Sequence, residues 1–267
     1  MIILPARQLP ALIRWFPAGP PGPATLTEHL LATQAGTWWA DRAVDPRVIA
    51  AECGEHVLLR GDPSALEPAD LAPFANTSIE APDRFRPLLG SAFDQIRPWP
   101  RIVHVKRSTS PAARPPLDVT VRRLTTRDAL ALRRLPAAMS WVHRTWGGPQ
   151  ALARSGYAWA ALHRDRIVAL ACTYFLGTVY EEIACVTVPD PRLQHLGRVC
   201  VTALCSDIAA RDRTPSWTCP AGDRSTRHLA LSAGFRPEYE YTHHVVGSAA
   251  APADGARRRA GQPAALS

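Results

Sequence analysis

The stretch "VTVPDPRLQHLG", Val186–Gly197, decides how this chain of 267 residues is read. An apolar run ends at a proline and a short turn follows. The helical pattern "RVCVTALCSDIAAR" then begins, with apolar residues every three or four positions. A strand that feeds a helix through a short turn sets unpaired helical amides at the strand's end. Such a place suits an anion, and many proteins hold a cofactor phosphate there. A cradle of backbone amides normally needs small residues, yet His195 stands inside this turn.

Working outward, three strands precede the turn: "YAWAALHRD", "RIVALACTYFLG" and "YEEIACVTV", the first two joined by a tight Arg-Asp-Arg turn. Before them come the alternating strand "DVTVRRLT", a helix "TRDALALRRL" with Thr126 as N-cap, and a Trp-rich helical region, "MSWVHRTWGGPQALARSG". After the turn and its helix come a short strand "PSWTC", a helix "RSTRHLALSAGF" stopped by Gly234, and a closing strand "EYEYTHHVV". The order from residue 118 is β, α, α, β, β, β, α, β, α, β.

Residues 108–117 form a stiff, proline-rich connector and mark the expected boundary between residues 27–107 and residues 118–247. The alternation in 27–107 predicts a smaller α/β domain. Its elements are a helix through "LTEHLLATQAGTWWADRA" with Thr25 as N-cap, a strand "EHVLLRGD", short helices around "TSIEA", and a strand "RIVHVKR". Residues 1–26 read as irregular and proline-rich. Residues 248–267, with Arg257-Arg258-Arg259 in an Ala/Gly/Pro context, read as a disordered tail.

Composition narrows the function. The formal charge is +8, but the basic residues are almost all arginine and Lys106 is the sole lysine. That bias, with abundant alanine and proline, reflects a GC-rich genome more than a binding role. No nucleic-acid motif accompanies it, which ranks nucleic-acid binding last. The six cysteines form no C-x-x-C pair and show no zinc spacing, so they read as buried apolar residues and imply no metal. No apolar run approaches the ~20 residues a membrane span needs, and the start of the chain lacks a secretory pattern. A soluble cytoplasmic protein is expected. There is no Ser-His-Asp elbow, H-E-x-x-H or P-loop.

Residues 118–247 resemble the GNAT N-acyltransferase family, most strongly over "EEIACVTVPDPRLQHLGRVCVTALCSDIAARDRTPSWTCPAGDRSTRHLALSAGF". The "PSWTC" strand and the N-terminal extension are similar to an uncharacterised branch of that family. The resemblance implies a central twisted mixed sheet flanked by helices, with acetyl-CoA as co-substrate and an amine as acceptor. It also implies a cofactor motif of Arg or Gln, two residues, Gly, one residue, then Gly or Ala. Two frames fit. In Arg192-Leu193-Gln194-His195-Leu196-Gly197, His195 replaces the first glycine and Gly197 fills the last small position, with Arg198 following. In the other, Gln194 opens the motif, Gly197 is the first glycine and Val199 takes the last small position. The first keeps the spacing of "VPDPR".

The resemblance also assigns the backbone of Cys185, Val186 and Thr187 to the pantetheine arm. It puts Asp223 where an asparagine often contacts the cofactor, and Ala230 where many members carry a tyrosine acid. Acyl transfer to an amine needs a base. Glu182 on the central strand is the first candidate and Glu181 the second; neighbours on a strand face opposite ways, so only one can meet substrate. Tyr239, Tyr241, His243 and His244 on the closing strand are within reach of the cleft. The departures at His195, Asp223 and Ala230 leave open an alternative, a GNAT-fold binding module without activity. The acceptor and the oligomeric state are not legible.

Overall fold

The computed structural model describes residues 1–5, 14–17, 19–109, 114–190 and 194–250. Twelve strands are described: β1 (Ile2–Ile3), β2 (Thr37–Ala40), β3 (Val48–Cys53), β4 (His56–Gly61), β5 (Ser78–Glu80), β6 (Ile96–Lys106), β7 (Val119–Arg123), β8 (Ala158–His163), β9 (Arg166–Leu176), β10 (Tyr180–Thr187), β11 (Thr214–Pro220) and β12 (Phe235–Val246). Six α-helices join them: α1 (Ala24–Thr33), α2 (Arg86–Ala92), α3 (Ala129–Arg133), α4 (Pro149–Ser155), α5 (Gln194–Ala209) and α6 (Arg224–Ser232). Short 3₁₀ segments fill several connections, among them Ala137–Trp146.

The strands make one sheet in the order β1-β2-β3-β4-β5-β12-β6-β11-β10-β9-β8-β7. Strand β6, from before the 108–117 connector, lies between β11 and β12 and pairs antiparallel with both. Strands from both sides of that connector therefore share one sheet. The pairing of β10 with β11 is parallel, as is that of β4 with β5.

Alternation along the strands fixes what lies on each face. Ala160, Leu170, Cys172 and Ala184 pack in one core with Leu26 and Leu30 of α1 and with Val142 and Trp146. Ala161, Ala169, Ala171 and Ile183 pack in another with Leu196, Cys200 and Leu204 of α5. Helix α5 and the last turn of α6, through Leu229 and Ala230, thus cover the face opposite α1.

The expected helix over "LTEHLLATQAGTWWADRA" needs correction. It starts inside the segment read as irregular, after Pro23, and ends at Thr33, with Gln34 in the left-handed region at φ 58°. A Cβ on Gly36 would stand 2.3 Å from the Glu52 carbonyl oxygen, so the chain passes too close to β3 for any side chain. Beyond it, Trp38 and Ala40 are buried while Thr37 and Trp39 are half-buried, which is a strand's period. Strand β3, "VIAAEC", is an element that sequence reading passed over. Thr25 does not cap α1; its hydroxyl donates to the Gly22 carbonyl at 2.6 Å. Thr125, one residue before the expected Thr126, closes a capping box with Asp128. The expected tight turn between β8 and β9 is present, with Arg164 and Asp165 both at positive φ.

One imidazole of α1 bridges it to two other segments. The fully buried His29 accepts from the Leu176 amide at Nδ1 (3.0 Å), and its Nε2 donates to the Thr145 carbonyl (2.8 Å). Both nitrogens are committed, so the ring is neutral. Burial lowers its pKa to about 4 from the ordinary 6.5, against a smaller opposing effect of the Thr145 bond. The unfolded chain takes up this proton first as pH falls, so the contribution is intact above pH 6.5 and lost as pH drops through 4. Denaturant titrations at pH 7.5 and 4.5 should show a fall in stability, on the order of 3 kcal/mol from this group. His29→Gln, with one donor and one acceptor and no charge to gain, should flatten that part of the profile.

Candidate active site

Strands β10 and β11 pair only at Tyr180–Thr214, Glu181–Pro215 and Glu182–Ser216. Beyond that point β10 continues to Thr187 and β11 to Pro220 without pairing. Strand β10 stays paired with β9 on its other side throughout. One edge of residues 183–187 and the facing edge of β11 toward it are therefore left with main-chain groups that no ladder satisfies. Cys185, Val186 and Thr187, expected to meet the pantetheine arm, lie on this parted stretch.

Helix α5 begins close to the end of β10. Arg192 and Leu193 lie outside the described residues, as does the side chain of Gln194. His195 is exposed in the first turn, Leu196 is buried in the core beneath α5, and Arg198 is half-buried. The buried Gly197 faces β10: a Cβ there would sit 2.8 Å from Thr187 Oγ1 and 3.4 Å from Cys185 Sγ. Its small size sets how closely α5 approaches the parted strand. Cys185 is held as a neutral thiol, its pKa pushed up to about 12 by burial, and contacts the Gly197 carbonyl at 3.7 Å.

A cavity of about 390 Å³ opens off the parting. Ile183, Ala184, Cys185, Thr218, Pro220, Asp223 and Thr226 line its mouth. Its interior is walled by Trp99, Trp141, Tyr174, Phe175, Tyr241 and the two histidines His56 and His243. A bulge in β9 explains part of this wall. Glu182 pairs with Phe175 and Ile183 with Thr173, so Tyr174 is the extra residue and it and Phe175 both turn into the cavity. Residues before the connector supply a second part through Glu55, His56, Leu58, Ser78, Trp99 and Arg101.

Glu182 stands in this cavity, 6 % exposed. Burial raises its pKa above the usual carboxylate range, partly offset by the neighbouring Thr218 hydroxyl and the Arg101 charge. The Thr218 hydroxyl itself closes no hydrogen bond of good geometry. Tyr174 and Tyr241 have their pKa raised well above the ordinary phenol value by burial and are protonated donors. Burial lowers the pKa of His56 to about 3 and that of His243 well below 6.5, so both rings are neutral. Tyr241 and His243 reach the cavity as expected of the closing strand. Tyr239 instead donates to the Pro21 carbonyl (2.6 Å), and His244 pairs with Ile79 of β5 and does not line the cavity.

Glu181, the second candidate base, requires correction. It is fully buried and engaged on both oxygens. Arg211 donates from Nε (2.9 Å) and Nη2 (2.8 Å), Arg213 donates at 3.1 Å, and the Thr173 hydroxyl donates at 2.6 Å. The strand's alternation turns it away from the cavity and onto these arginines. Asp223 caps α6: one oxygen accepts from the Thr226 amide (3.0 Å) and the other from its hydroxyl (2.6 Å). Burial works to raise its pKa, but bonds from Thr226 and Ser225 carry it below the usual value. It lines the cavity mouth with both oxygens already committed. Ala230 is buried in the core and carries no polar group.

Residues 22–244 match the family described as GNAT acetyltransferase. The chain belongs to that family. A Streptomyces virginiae protein named as an uncharacterised N-acetyltransferase in the mutA 5′ region is 54 % identical over 212 residues, spanning 79 % of this chain and 90 % of that one. Solved GNAT structures share the fold. A GCN5-related N-acetyltransferase-like protein from Streptococcus suis superposes with a TM-score of 0.70 at 17 % identity, covering 90 % of this chain and 99 % of that one. A GNAT-family acetyltransferase from Colwellia psychrerythraea gives 0.59 at 10 % identity, covering 92 % and 99 %. The family fold is a mixed sheet flanked by helices, as the sequence implied, and here it is continuous with the strands of the N-terminal half.

Sequence reading missed Arg101, Trp99, His56, Tyr174 and Phe175 as site residues. For Trp99 and Arg101 the signal was the period of two in "WPRIV", which puts both on one face of a strand. Nothing local marked His56, which opens β4 directly after the turn from β3.

Removing the Glu181 carboxylate would leave two partly buried guanidinium groups facing an apolar interior. Glu181→Ala should cost about 3–5 kcal/mol in denaturant unfolding. The affinity for acetyl-CoA of the fraction that remains folded should stay within a few-fold of wild type.

Proposed function

We propose that this chain is an N-acetyltransferase that takes an acetyl group from acetyl-CoA and delivers it to an amine held in the aromatic cavity, with Glu182 as general base. The observation that carries this reading is the parting of β10 and β11 directly beside Glu182. Unladdered amides and carbonyls there suit the amide-rich pantetheine arm. The adjacent start of α5 offers unpaired amides to pyrophosphate, with Gly197 allowing the close approach. The exposed side chain of His195 supports the first motif frame, in which its amide stays available while its ring lies outside.

The chemistry follows from these groups. The amine nitrogen must be neutral to attack the thioester carbonyl. As the N–C bond forms, the nitrogen loses a proton to Glu182, directly or through one water, and the C–S bond breaks. A free amide on β10 stabilises the developing oxyanion. A thiolate whose conjugate acid has a pKa of ~8.5 leaves without a dedicated acid, so Ala230 is compatible with turnover. Residues 27–107 act as a wall of the acceptor site. The six free cysteines support a reducing compartment such as the cytoplasm.

A thermal-shift titration tests the first half. Acetyl-CoA at a hundred times its Kd should stabilise the folded protein by about 2.7 kcal/mol. No shift at millimolar acetyl-CoA would leave the chain as a binding fold without its co-substrate. His195→Gly should tighten acetyl-CoA binding if the ring crowds the first glycine's place; weaker binding would show that the imidazole helps to hold the ligand. For the second half, Glu182→Gln should lower amine-dependent CoA release by about 10²–10⁴-fold while acetyl-CoA still binds. Because burial raises the Glu182 pKa, the acid limb of kcat/KM should lie above the ordinary carboxylate range.

A further inference from the structure

The cavity holds a charge that the proposed reaction does not use. Arg101 projects from β6 and is 9 % exposed. Its Nη2 donates to the Thr218 carbonyl at 3.3 Å, and its guanidinium carbon lies 4.1 Å from the centre of the Trp99 ring. Its Nε is buried and has no hydrogen-bond partner. No carboxylate among the described residues forms an ion pair with it; Glu182 senses its charge from farther away. Several half-buried arginines, by contrast, have such a partner: Arg211 and Arg213 pair with Glu181, and Arg60 pairs with Glu80.

Arg101 is not alone in lacking partners. His56 Nδ1 and His243 Nδ1 are also buried, unpaired, and on residues that line the same cavity. His56 Nε2 meets the Tyr174 hydroxyl at 3.3 Å. When that hydroxyl donates, the ring's proton sits at Nδ1 and makes it a donor. A guanidinium N–H and an imidazole N–H around one space are donors in want of an acceptor. Unmatched buried donors of this kind are costly, and a buried cation more so, unless a ligand completes them. A stacked, planar guanidinium presents its free edge to a carboxylate in the geometry that a two-oxygen anion fits.

We propose that the amine acceptor carries a carboxylate, that Arg101 binds it, and that the acceptor is therefore an amino-acid-like molecule with an apolar body seated against Trp141, Tyr174 and Phe175. This rests on the acetyl-transfer reading of the same cavity. With the carboxylate held on Arg101 and the side chain against the aromatic wall, the amine is left to face Glu182. Arg101 is then a specificity-determining contact to substrate. The competing role, tuning the ionisation of Glu182 alone, predicts different behaviour.

The test uses the full chain with saturating acetyl-CoA and matched pairs of amines that differ by one carboxylate: phenylalanine and phenethylamine, tryptophan and tryptamine, leucine and isoamylamine. CoA release gives kcat and KM. Thermal shift with the N-acetyl derivatives of the same six amines gives binding without turnover. The carboxylated member of at least one pair should be favoured at least 100-fold. Arg101→Met should reduce that preference to a few-fold, mainly by raising KM. Arg101→Lys, which keeps the charge without the planar edge, should fall between the two and guards against a folding defect in the first variant.

Equal use of both members of every pair, preference for the decarboxylated member, or a preference that survives in Arg101→Met would overturn the proposal while leaving acetyl transfer standing. So would an Arg101→Met effect confined to the acid limb of kcat/KM. Failure of every N-acetyl amino acid to stabilise a protein that does bind acetyl-CoA would overturn it as well. Failure to bind acetyl-CoA itself counts against the transferase reading, and the N-acetyl derivatives still decide whether Arg101 captures a carboxylate.

Discussion

Glu182 and Ser216 are the last residues that β10 and β11 share, and the site follows from that separation. Two parallel strands that stay together satisfy each other's main chain and leave no room for a ligand. Once they part, each needs a different neighbour. Strand β10 keeps β9, and β11 keeps β6, so the sheet holds together around an open seam. Gly197 lets α5 close down on one side of that seam, and the bulge at Tyr174 turns two aromatic rings toward the other. Glu182, the amide-lined slot and the aromatic chamber meet because they surround one missing row of hydrogen bonds.

The two adjacent glutamates show how strand alternation assigns roles. Glu181 and Glu182 are identical in composition and consecutive in the chain, and both are buried. One faces three donors on the α5 side and is locked; the other faces a cavity with few partners, and burial raises its pKa. The same sheet shows two treatments of arginine. Arg211 is neutralised by carboxylates, whereas Arg101 sits on an aromatic ring with part of its fork unused.

Much of the catalytic half was legible because its strands alternate cleanly and its helices have caps and stop signals. The order from residue 118 to the closing strand needed only hydrophobic period and turn chemistry. The N-terminal half was harder. "QAGTWWA" reads as a continuation of the helix by apolar period, and the left-handed Gln34 and the tight contact of Gly36 with Glu52 O break it. At the site, the parted strand was readable from the family resemblance and Glu182 from its place on that strand, while Tyr241 and His243 were only two of four candidates on the closing strand. Arg101 and His56 were not, since their place depends on which strands lie side by side. A strand inserted between two others more than 100 residues later leaves no local mark on the sequence.

That insertion has a consequence for how the chain is made. Strand β6 leaves the ribosome well before β11 and β12, and its central position needs both of them. Until β11 emerges, β6 offers two unpaired edges, and until the closing strand follows one edge stays open and β5 lacks the neighbour that joins it to the rest of the sheet. Long-range pairing of this kind closes slowly, and open edges invite pairing with other chains. The nascent protein thus passes through a stage in which its middle strand is exposed at both margins. The final dozen residues of the sheet seal it, and the cavity gains Tyr241 and His243 in its lining only at that moment.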